Sequence, residues 1–414
     1  MFNLNYIDFE RATRDEEYRN NKGIKMSKTQ SPFVIFKYDK EKINNDNIDT
    51  LGLYRSIVYN KQDNKVVCVS PPKSKNIETF QQQENNKLED CIVKEFVEGT
   101  MINIFDNNGN WEIATKSCVG GNFKYFMDAK KTFRQMFNEA VNSYEKFSMN
   151  DLDKKYCYSF VLQHPENTIV TPFSTTSLVF ISAYEIKHDN TENIPKITFE
   201  DKTTESRQFI KCSYPLNFSE VSNFDDKACV WKYVNTYYDL NPTQITNKGF
   251  VVYRGSNTVE RIKFRNPAHE YVKQLRGNSS KQQFRFYNLR KLRKIGEYLS
   301  YYPSEKDAFN SYRNQLHSWT NDLYGYYIRC FINKELHVKE CPYEFRPHLY
   351  QLHRLYLSSL RTKKTKITFQ VVMTYANNLE PARLMYSVNY KLRETKVMKV
   401  KNEYDKVKTF SESN

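Results

Sequence analysis

No run of about 18 apolar residues occurs anywhere in this sequence, so no segment has the composition of a membrane-spanning helix. The N-terminus, MFNLNYIDFERATRDEEYR, turns polar and acidic where a secretory signal needs an apolar stretch. The eight cysteines form no CxxC pair, and in a chain of 414 residues this scatter is typical of reduced thiols rather than of a disulfide framework. We therefore expect a cytoplasmic protein with no membrane partner.

Glycine and proline are also scarce, with 11 and 13 residues, whereas Asn, Lys, Ile, Tyr and Phe are abundant. The favoured residues have AT-rich codons, so this bias reflects the genome rather than the fold. Hydrophobic residues make up 39% of the chain and aromatic residues 15%, which is a globular composition. The length allows two domains or three small ones.

Net charge is absent from the first two thirds of the chain and concentrated in the last third. Residues 1–270 contain 36 Lys+Arg and 36 Asp+Glu, whereas residues 271–414 contain 27 and 12, which accounts for the whole excess of +15. A neutral body followed by a basic region indicates a polyanion-binding module joined to another domain. The alternative interpretation is a solvated helical surface with a basic tail.

Short runs of β-branched and aromatic residues, separated by Asn, Asp, Gly and Pro, dominate residues 31–270. They predict strands at 32–38, 54–60, 65–71, 100–105, 111–117, 159–163, 168–173, 178–186, 249–253 and 261–265. Helical spacing appears within this region only at 123–144 and 217–238. The pattern predicts an α+β domain with mostly antiparallel sheets.

After Pro267 the spacing of apolar residues becomes helical. It predicts helices at 284–301, 305–333, 344–361, 367–377 and 380–392. The predicted organisation is a polar N-terminal segment (1–30), a β-rich domain (31–270), a basic helical domain (271–397) and a disordered tail (398–414).

Six segments of the β-rich domain occur in an order that is typical of one family. They are YRSIVYN (54–60), EFVEGTMINIF (95–105), WEIATKS (111–117), SFVLQHPENTIV (159–170), NKGFVVY (247–253) and RIKFRN (261–266). Together they resemble the successive motifs of the covalent nucleotidyltransferases, above all the bacteriophage-type RNA ligases, over roughly residues 30–270. The AT-rich bias suits a degenerate member of the kind found in large DNA viruses. The resemblance implies a nucleotidyltransferase-like (RNA ligase-like) fold for 31–270 and RNA as a partner.

Three catalytic positions of that family are occupied here by other residue types. Phe96 stands where the family has the nucleophilic lysine of its K-x-D-G pattern, and phenylalanine cannot form a phosphoramidate. Val161 and Lys248 stand where the family has glutamates that organise a divalent metal. The resemblance therefore implies a pseudoenzyme with no catalytic residue, no metal and no cofactor.

The basic positions of the family pattern are retained. Arg55 matches an arginine that contacts phosphate or ribose, and Lys263 and Arg265 match the paired bases of the last motif, two residues apart on one side of a strand. We predict an anion- or nucleotide-binding site formed by Arg55, Lys116, Lys263 and Arg265, to which Lys248 can add. The alternative is that these are ordinary cations on surface strands.

Two basic runs in the helical domain suggest contacts with nucleic acid. The segment KQQFRFYNLRKLRK (281–294) interleaves bases and aromatic residues. Its predicted phosphate contacts are Arg290, Lys291, Arg293 and Lys294. An amphipathic helix with a buried apolar face explains the aromatics equally well. The run RTKKTK (361–366) is either a phosphate contact or a solvated loop.

Lys94 and a cluster of cysteines and histidines each allow a functional and a purely structural interpretation. Lys94 precedes Phe96 by two residues, on the same side of a strand, and is either a migrated nucleophile or a surface lysine. The second group clusters in sequence but matches no standard zinc spacing, so we expect no metal there. It consists of Cys330, His337, Cys341, His348 and His353.

The sequence favours a catalytically inactive RNA-ligase-like protein that binds RNA or RNA ends in mRNA processing or translation. If the protein is viral, we expect it in the host cytoplasm or a viral factory. One alternative is an active RNA ligase or capping-type nucleotidyltransferase that uses a migrated lysine nucleophile. The other is a structural scaffold that binds a protein partner. Covalent labelling with ATP or GTP distinguishes an active nucleotidyltransferase from the two other hypotheses. Salt-dependent RNA binding distinguishes the inactive RNA-binding protein from the structural scaffold.

Overall fold

The computed structural model describes residues 1–29, 32–75, 91–124, 130–144, 147–189, 196–203, 245, 248–254 and 260–395. The chain divides into two compact units, Met1–Lys273 and Gln274–Asn414. The predicted helix at 217–238 and the predicted tail at 398–414 lie outside the described residues. Within the described part of the chain, no helix is both long and apolar enough to cross a membrane.

Antiparallel strands build the first unit. They are β1 (Phe2–Asn3), β2 (Ile24–Lys28), β3 (Phe33–Tyr38), β4 (Ile57–Asn60), β5 (Lys65–Val69), β6 (Cys91–Glu95), β7 (Thr100–Asn107), β8 (Asn110–Ala114), β9 (Tyr156–Gln163), β10 (Ser177–Asp189), β11 (Lys196–Asp201), β12 (Gly249–Arg254) and β13 (Arg261–Arg265). Among the described residues these strands form three sheets, with strand orders β1-β11-β10-β9-β7-β8, β2-β3-β4-β5 and β13-β12-β6. The pairings between these strands are all antiparallel.

Five helices begin in this unit: α1 (Phe9–Arg14), α2 (Glu16–Asn21), α3 (Ile48–Leu51), α4 (Phe133–Asn142) and α5 (Pro267–Arg276), as far as the described residues extend. Helix α4 begins at a capping box in which Thr132 and Gln135 satisfy each other's backbone amides. Its buried side chains pack on the six-stranded sheet, whereas Phe9 of α1 belongs to a second core with the four-stranded sheet.

The second unit is helical. Its helices are α6 (Gln282–Lys291), α7 (Ile295–Tyr301), α8 (Lys306–Tyr327), α9 (Arg346–Leu355), α10 (Phe369–Asn378) and α11 (Pro381–Val388), and π-helical turns extend α8 to Ile332 and α9 to Leu360. Fully buried aromatic and aliphatic side chains from α6, α7 and α8, among them Phe286, Tyr298 and Phe309, form its core. Antiparallel sheets followed by helices confirm the predicted α+β class.

Three predicted elements differ clearly from the structure among the described residues. The helix predicted at 123–144 begins only at Phe133 and ends at Asn142, because the capping box of Thr132 and Gln135 sets its start. Residues 168–173 form no strand, and the backbone amides of Val170 and Thr171 donate instead to the carboxylate of Glu98. The predicted helix at 284–301 is two helices, because Arg293 adopts a left-handed conformation at φ 59°. The amide of Lys294 then donates to the Leu289 carbonyl at 2.9 Å, which is the 6→1 bond of a Schellman motif.

The polar N-terminal segment contributes β1, α1, α2 and β2 to the first unit. Its apolar residues are few but buried, as Leu4, Ile7 and Ala12 illustrate. The side chains of Asp8 and Asp15 cap the two short helices by accepting from backbone amides. Local capping and a small number of core contacts therefore order a segment whose overall composition is polar.

Candidate anion-binding site

The three-stranded sheet β13-β12-β6 has two chemically distinct faces. Its register places Lys94 opposite Val251 and Val251 opposite Lys263, in one row across the sheet. Because side chains alternate along a strand, Arg261 and Arg265 lie on the same side as Lys263. The side chains that alternate with these on β12 and β13 are apolar and buried: Phe250, Val252, Ile262 and Phe264. We call the side that carries Lys94, Phe96, Arg261, Lys263 and Arg265 the basic face.

Phe96 lies at the end of β6, where its amide donates to the Gly249 carbonyl at 2.8 Å. The partly buried ring carries two ammonium groups: Lys248 Nζ is 4.1 Å from the ring centroid and Lys263 Nζ is 4.7 Å from it. Lys248 also donates to the Val97 carbonyl at 3.2 Å. The aromatic ring therefore holds two like charges close together, an arrangement that an anion would stabilise.

Two guanidinium groups bind successive carbonyls of one segment. Arg55 Nη1 donates to the Pro71 carbonyl at 3.1 Å, and Arg261 Nη2 donates to the Pro72 carbonyl at 2.7 Å. Arg261 is only 2% exposed, and its Nε has no hydrogen-bond partner among the described residues. The amide of Lys75 donates back to the Arg261 carbonyl at 2.9 Å. The segment 71–75, which follows β5, thus contacts both β13 and Arg55.

Burial and mutual repulsion depress the pKa values of these cations. Burial, followed by Arg261 and Arg55, holds the pKa of Lys263 well below its usual range. Burial is the main cause that lowers the pKa of Lys248 to about 8, although Glu98 opposes it. Burial and the charge of Arg261 lower the pKa of Arg55 to about 10. Burial and mutual repulsion thus disfavour the charged forms of these groups, and a bound anion would favour them.

The nearby carboxylates have other partners. Glu270 Oε2 lies 3.5 Å from Arg265 Nη1, and its Oε1 lies 3.0 Å from Lys273 Nζ. Buried Glu98 is 2.9 Å from His269 Nε2. Burial raises the pKa of Glu98, but its hydrogen bonds, led by that to His269, lower it further, so the net shift is downward. Neither Lys248 nor Lys263 has a carboxylate within salt-bridge distance in the part of the chain that the structure describes.

The position that carries a metal-organising glutamate in the resembled family is apolar here. Val161 packs with Val97 and Val179 in a small buried cluster. Gly99 adjoins it at φ 136°, where a Cβ would lie 2.3 Å from the Leu162 carbonyl oxygen, so only glycine fits this close approach. No three metal-ligating side chains converge among the described residues. The surroundings of Val161 therefore offer no oxygen donor set for a divalent ion.

The predicted site residues differ in their surroundings in the structure. Arg55 and Lys263 belong to one electrostatic group with Lys248. Arg265 lies on the same face but is 54% exposed and pairs with Glu270. Lys116 is exposed, 5.7 Å from the ring of Tyr38. Partial desolvation and the charges of Arg55, Lys40 and Lys37 lower its pKa to about 8.

Arg261 is the residue that the sequence interpretation missed. The alternation in R-I-K-F-R places it on the side of Lys263 and Arg265, so a signal was present. Lys94, the candidate migrated nucleophile, is 7% exposed on the basic face, with Nζ 5.1 Å from the centroid of the Tyr253 ring. The basic face therefore contains more buried cations than the motif comparison indicates.

The four predicted nucleic-acid contacts of the second unit differ in their surroundings. Partly buried Arg290 donates from Nε to Asn377 Oδ1 at 2.8 Å, which fixes it against α10. Lys291 pairs with Glu380 at 2.6 Å and Lys294 with Glu297 at 3.7 Å. Arg293 is exposed at the left-handed turn. The aromatic residues of this segment are largely buried, and residues 361–366 are all exposed.

The cysteines and histidines of 330–353 are engaged in separate contacts. Cys330 Sγ and Cys341 Sγ are 3.3 Å apart. His348 contacts the Tyr375 hydroxyl and the Ser387 hydroxyl, both at 2.8 Å. His353 stacks on Phe331 with ring centroids 4.0 Å apart. The side chain of His337 caps a short 3₁₀ helix by accepting from the Lys339 amide.

No protein-family model matches this sequence, and no curated protein matches it. Among solved structures, one similar chain is a putative ATP-dependent DNA ligase from Aquifex aeolicus, with 13% identity and a TM-score of 0.35, over 83% of this chain and 79% of that one. Another is an archaeal ATP-dependent RNA ligase, also with 13% identity and a TM-score of 0.35, over 71% of this chain and 69% of that one.

Proposed function

We propose that this protein is a nucleotidyltransferase-like pseudoenzyme that binds the terminal phosphate of an RNA at the basic face. The observation that carries the proposal is the Phe96 ring with Lys248 and Lys263 upon it, backed by the buried guanidinium of Arg261. These cations lack carboxylate partners within the described residues, and a phosphate would supply the missing negative charge.

The arrangement supports binding rather than covalent transfer. A lysine-linked nucleotide needs an amine that can attack the α-phosphate, and the corresponding position is an aromatic ring. Phosphoryl chemistry also needs charge neutralisation by a metal held on oxygen ligands. Val161 sits in an apolar cluster, and Lys248 places a cation where a carboxylate would be needed. A site that lost catalysis but still binds anions would lose the acidic residues of the family motifs and keep the basic ones, which is the pattern in this chain.

RNA is proposed as the anion on two grounds. The chain as a whole carries a net charge of +15, which favours a polyanion over a small phosphate compound. The six motifs resemble those of RNA ligases, whose substrates are RNA ends. A role in mRNA processing or translation, in the cytoplasm and in a viral setting, follows from that resemblance and belongs to the proposal.

Fluorescence anisotropy with a labelled single-stranded RNA tests the proposal directly. We expect RNA with a 5′-monophosphate to bind about 10-fold or more tightly than the same RNA with a 5′-hydroxyl, since each charge-assisted contact contributes roughly 1.5–3 kcal/mol. Lys263→Met should abolish that difference. Lys155→Met is the matched control, because Lys155 is an exposed lysine of the same unit away from the basic face. Equal affinity for both ends in the unmodified protein would contradict the proposal.

A residual transferase is the second candidate, and the position of Lys248 favours it. Its ammonium lies 4.1 Å from the centre of the ring that replaces the family's nucleophile, and its pKa of about 8 leaves a fraction of neutral amine at neutral pH. Incubation with ATP or GTP and either Mg²⁺ or Mn²⁺, followed by intact-mass spectrometry, separates the candidates. We expect no adduct. A lysine-linked nucleotide that disappears in Lys248→Arg would establish the transferase, and loss in Lys94→Arg would assign it to Lys94.

A further inference from the structure

Three tyrosines form a connected surface in the second unit. Tyr343 precedes α9 and is 60% exposed, Tyr386 lies in α11 and is 48% exposed, and Tyr390 begins the helical segment 390–395. The ring centroids of Tyr343 and Tyr390 are 5.8 Å apart, and those of Tyr386 and Tyr390 are 6.0 Å apart. Both distances fall in the range of interacting aromatic pairs. We call these three residues the tyrosine ladder.

Arginine guanidiniums flank both ends of the tyrosine ladder. Arg393 Cζ lies 4.5 Å from the centroid of the Tyr386 ring, and Arg346 Cζ lies 5.8 Å from that of Tyr343. Arg346 is fixed by a hydrogen bond from Nε to the Cys341 carbonyl at 2.7 Å. Each exposed end of the ladder therefore combines an aromatic ring with a guanidinium group, which has five N–H donors.

The helices beneath the ladder are locked together by buried polar contacts. His348 of α9 contacts the hydroxyl of Ser387, which is adjacent to Tyr386 in α11, at 2.8 Å. The other imidazole nitrogen contacts the Tyr375 hydroxyl at 2.8 Å. Burial and the charge of Arg383 lower the pKa of His348 to about 4, so the imidazole stays neutral at physiological pH. The two main rings are thus presented from a fixed support, which reduces the entropy lost on binding.

We propose that the tyrosine ladder stacks the bases of a single-stranded RNA while Arg346 and Arg393 contact its phosphates. Exposed rings provide the sequence-tolerant stacking surface that such ligands use, and guanidiniums add the charge that a polyanion complements. Residues 271–414 carry 27 basic and 12 acidic residues, which favours RNA over a protein segment as the occupant. The surface is not uniformly positive, since partial desolvation and nearby Glu394 raise the pKa of Tyr390. This base-binding surface is independent of the terminal-phosphate site proposed for the first unit.

A comparison of two strands that differ only in their bases tests the ladder. The probes are a 5′-hydroxyl oligouridine of about 12 nucleotides, within the span of known single-strand sites, and an abasic strand with the same backbone. The oligouridine should bind the full-length protein about 10-fold or more tightly, because phosphate contacts are common to both strands. Tyr343→Leu combined with Tyr386→Leu should remove the difference. Tyr301→Leu, at a tyrosine 37% exposed elsewhere in the unit, should preserve it.

Photocrosslinking of unmodified protein to 5-iodouridine RNA gives an independent readout that needs no variant to fold. Crosslinks at Tyr343, Tyr386 or Tyr390 support the ladder, and crosslinks confined to other residues overturn it. Equal binding of the two strands also overturns it and leaves a protein segment as the alternative occupant. Because the probes lack a 5′-phosphate, their base preference reports on the ladder alone, and the control Lys155→Met should not change it. Failure of the terminal-phosphate proposal is therefore distinguishable from failure of this one.

Discussion

Lys248 and Lys263 share the ring of Phe96, and burial is the main cause that lowers the pKa of each. A bound phosphate would favour the charged form of both amines and so raise their pKa values. Binding is then linked to proton uptake at any pH where the free site has already lost a proton. For Lys248, whose pKa is about 8, this range begins just above neutral pH.

We therefore expect affinity for 5′-phosphorylated RNA to fall as the pH rises from about 7 to 9. Isothermal titration in two buffers that differ in ionisation enthalpy should register proton uptake on binding at pH 8. Lys248→Met should reduce the proton uptake, since an amine that titrates near this pH is removed. An affinity that does not change over this pH range, with no proton uptake, would contradict the assigned site.

The same pKa shift predicts a change in stability. The pKa of Lys248 falls from an ordinary value of 10.5 to about 8 on folding, so below pH 8 the folded protein carries the full penalty of a desolvated charge. Lys248→Met should stabilise the RNA-free protein at pH 7 by roughly 1–2 kcal/mol, after allowance for the lost bond to Val97. The gain should shrink as the pH rises from about 8 toward 10.5. Urea unfolding at several pH values, with Lys155→Met as the control, measures it.

At the scale of secondary-structure elements, the boundary between α6 and α7 is the clearest difference from the sequence prediction. Apolar spacing continues from Phe284 to Tyr301, so periodicity alone predicts one helix. The break depends on Arg293, a non-glycine residue with φ 59°, and arginine is not a recognised signal for that conformation. The unfavourable backbone conformation of Arg293 is offset, because the turn allows the core side chains of both helices, such as Phe286 and Tyr298, to be buried.

Arg293→Gly should therefore stabilise the protein by about 0.5–1 kcal/mol, since glycine adopts a positive φ without steric cost. Arg290→Ala should destabilise it by roughly 1–2 kcal/mol, because it loses the hydrogen bond to Asn377 and buried aliphatic contact. Thermal and urea unfolding of both variants measure the effects. The two variants should change stability in opposite directions. A change in the same direction would contradict the roles assigned here to Arg290 and Arg293.

Strands were predictable where β-branched and aromatic residues are grouped locally, as in residues 54–60, 159–163 and 261–265. Strand β6 was missed because its partner β12 lies more than 150 positions along the sequence, and only that pairing aligns Lys94 with Lys263 across Val251. Residues 168–173 have strand composition, but Glu98 accepts the hydrogen bonds that a neighbouring strand would otherwise take. Local pattern thus predicts which residues share one strand face, and non-local pairing decides which strands meet.

At the scale of the whole molecule, the charge balance differs between the two parts of the chain. Residues 1–270 are neutral overall, yet the basic face gathers several cations in one place. Residues 271–414 hold the net excess, and much of it is spread over exposed positions. RNA binding that uses the second unit should consequently depend strongly on salt, because each neutralised phosphate releases bound counterions.

Replacing Lys291, Arg293 and Lys294 with Gln should flatten the plot of log affinity against log salt by up to about two units for single-stranded RNA, since each phosphate contact contributes about 0.7. Arg290 is left unchanged because it contacts Asn377 and stabilises the fold. The surface ion pairs of Lys291 and Lys294 are weak enough to exchange for phosphate contacts. Replacement of the exposed lysines 363, 364 and 366 tests the other basic run of this unit. A slope unchanged by the first set but flattened by the second would move the phosphate contacts to residues 361–366.

Hydrogen–deuterium exchange at backbone amides of the segment 71–75 should report on ligand binding to the first unit. Prolines at 71 and 72 have no amide hydrogen, so the first exchangeable amides of the segment include those of Lys73 and Lys75. Lys73 donates to the Gly52 carbonyl and Lys75 to the Arg261 carbonyl, both at 2.9 Å. These bonds break only when the segment lifts away from the guanidiniums beneath it. A phosphate that holds those guanidiniums in place should therefore slow hydrogen–deuterium exchange at these two amides, and the rate would follow site occupancy without any label on the RNA.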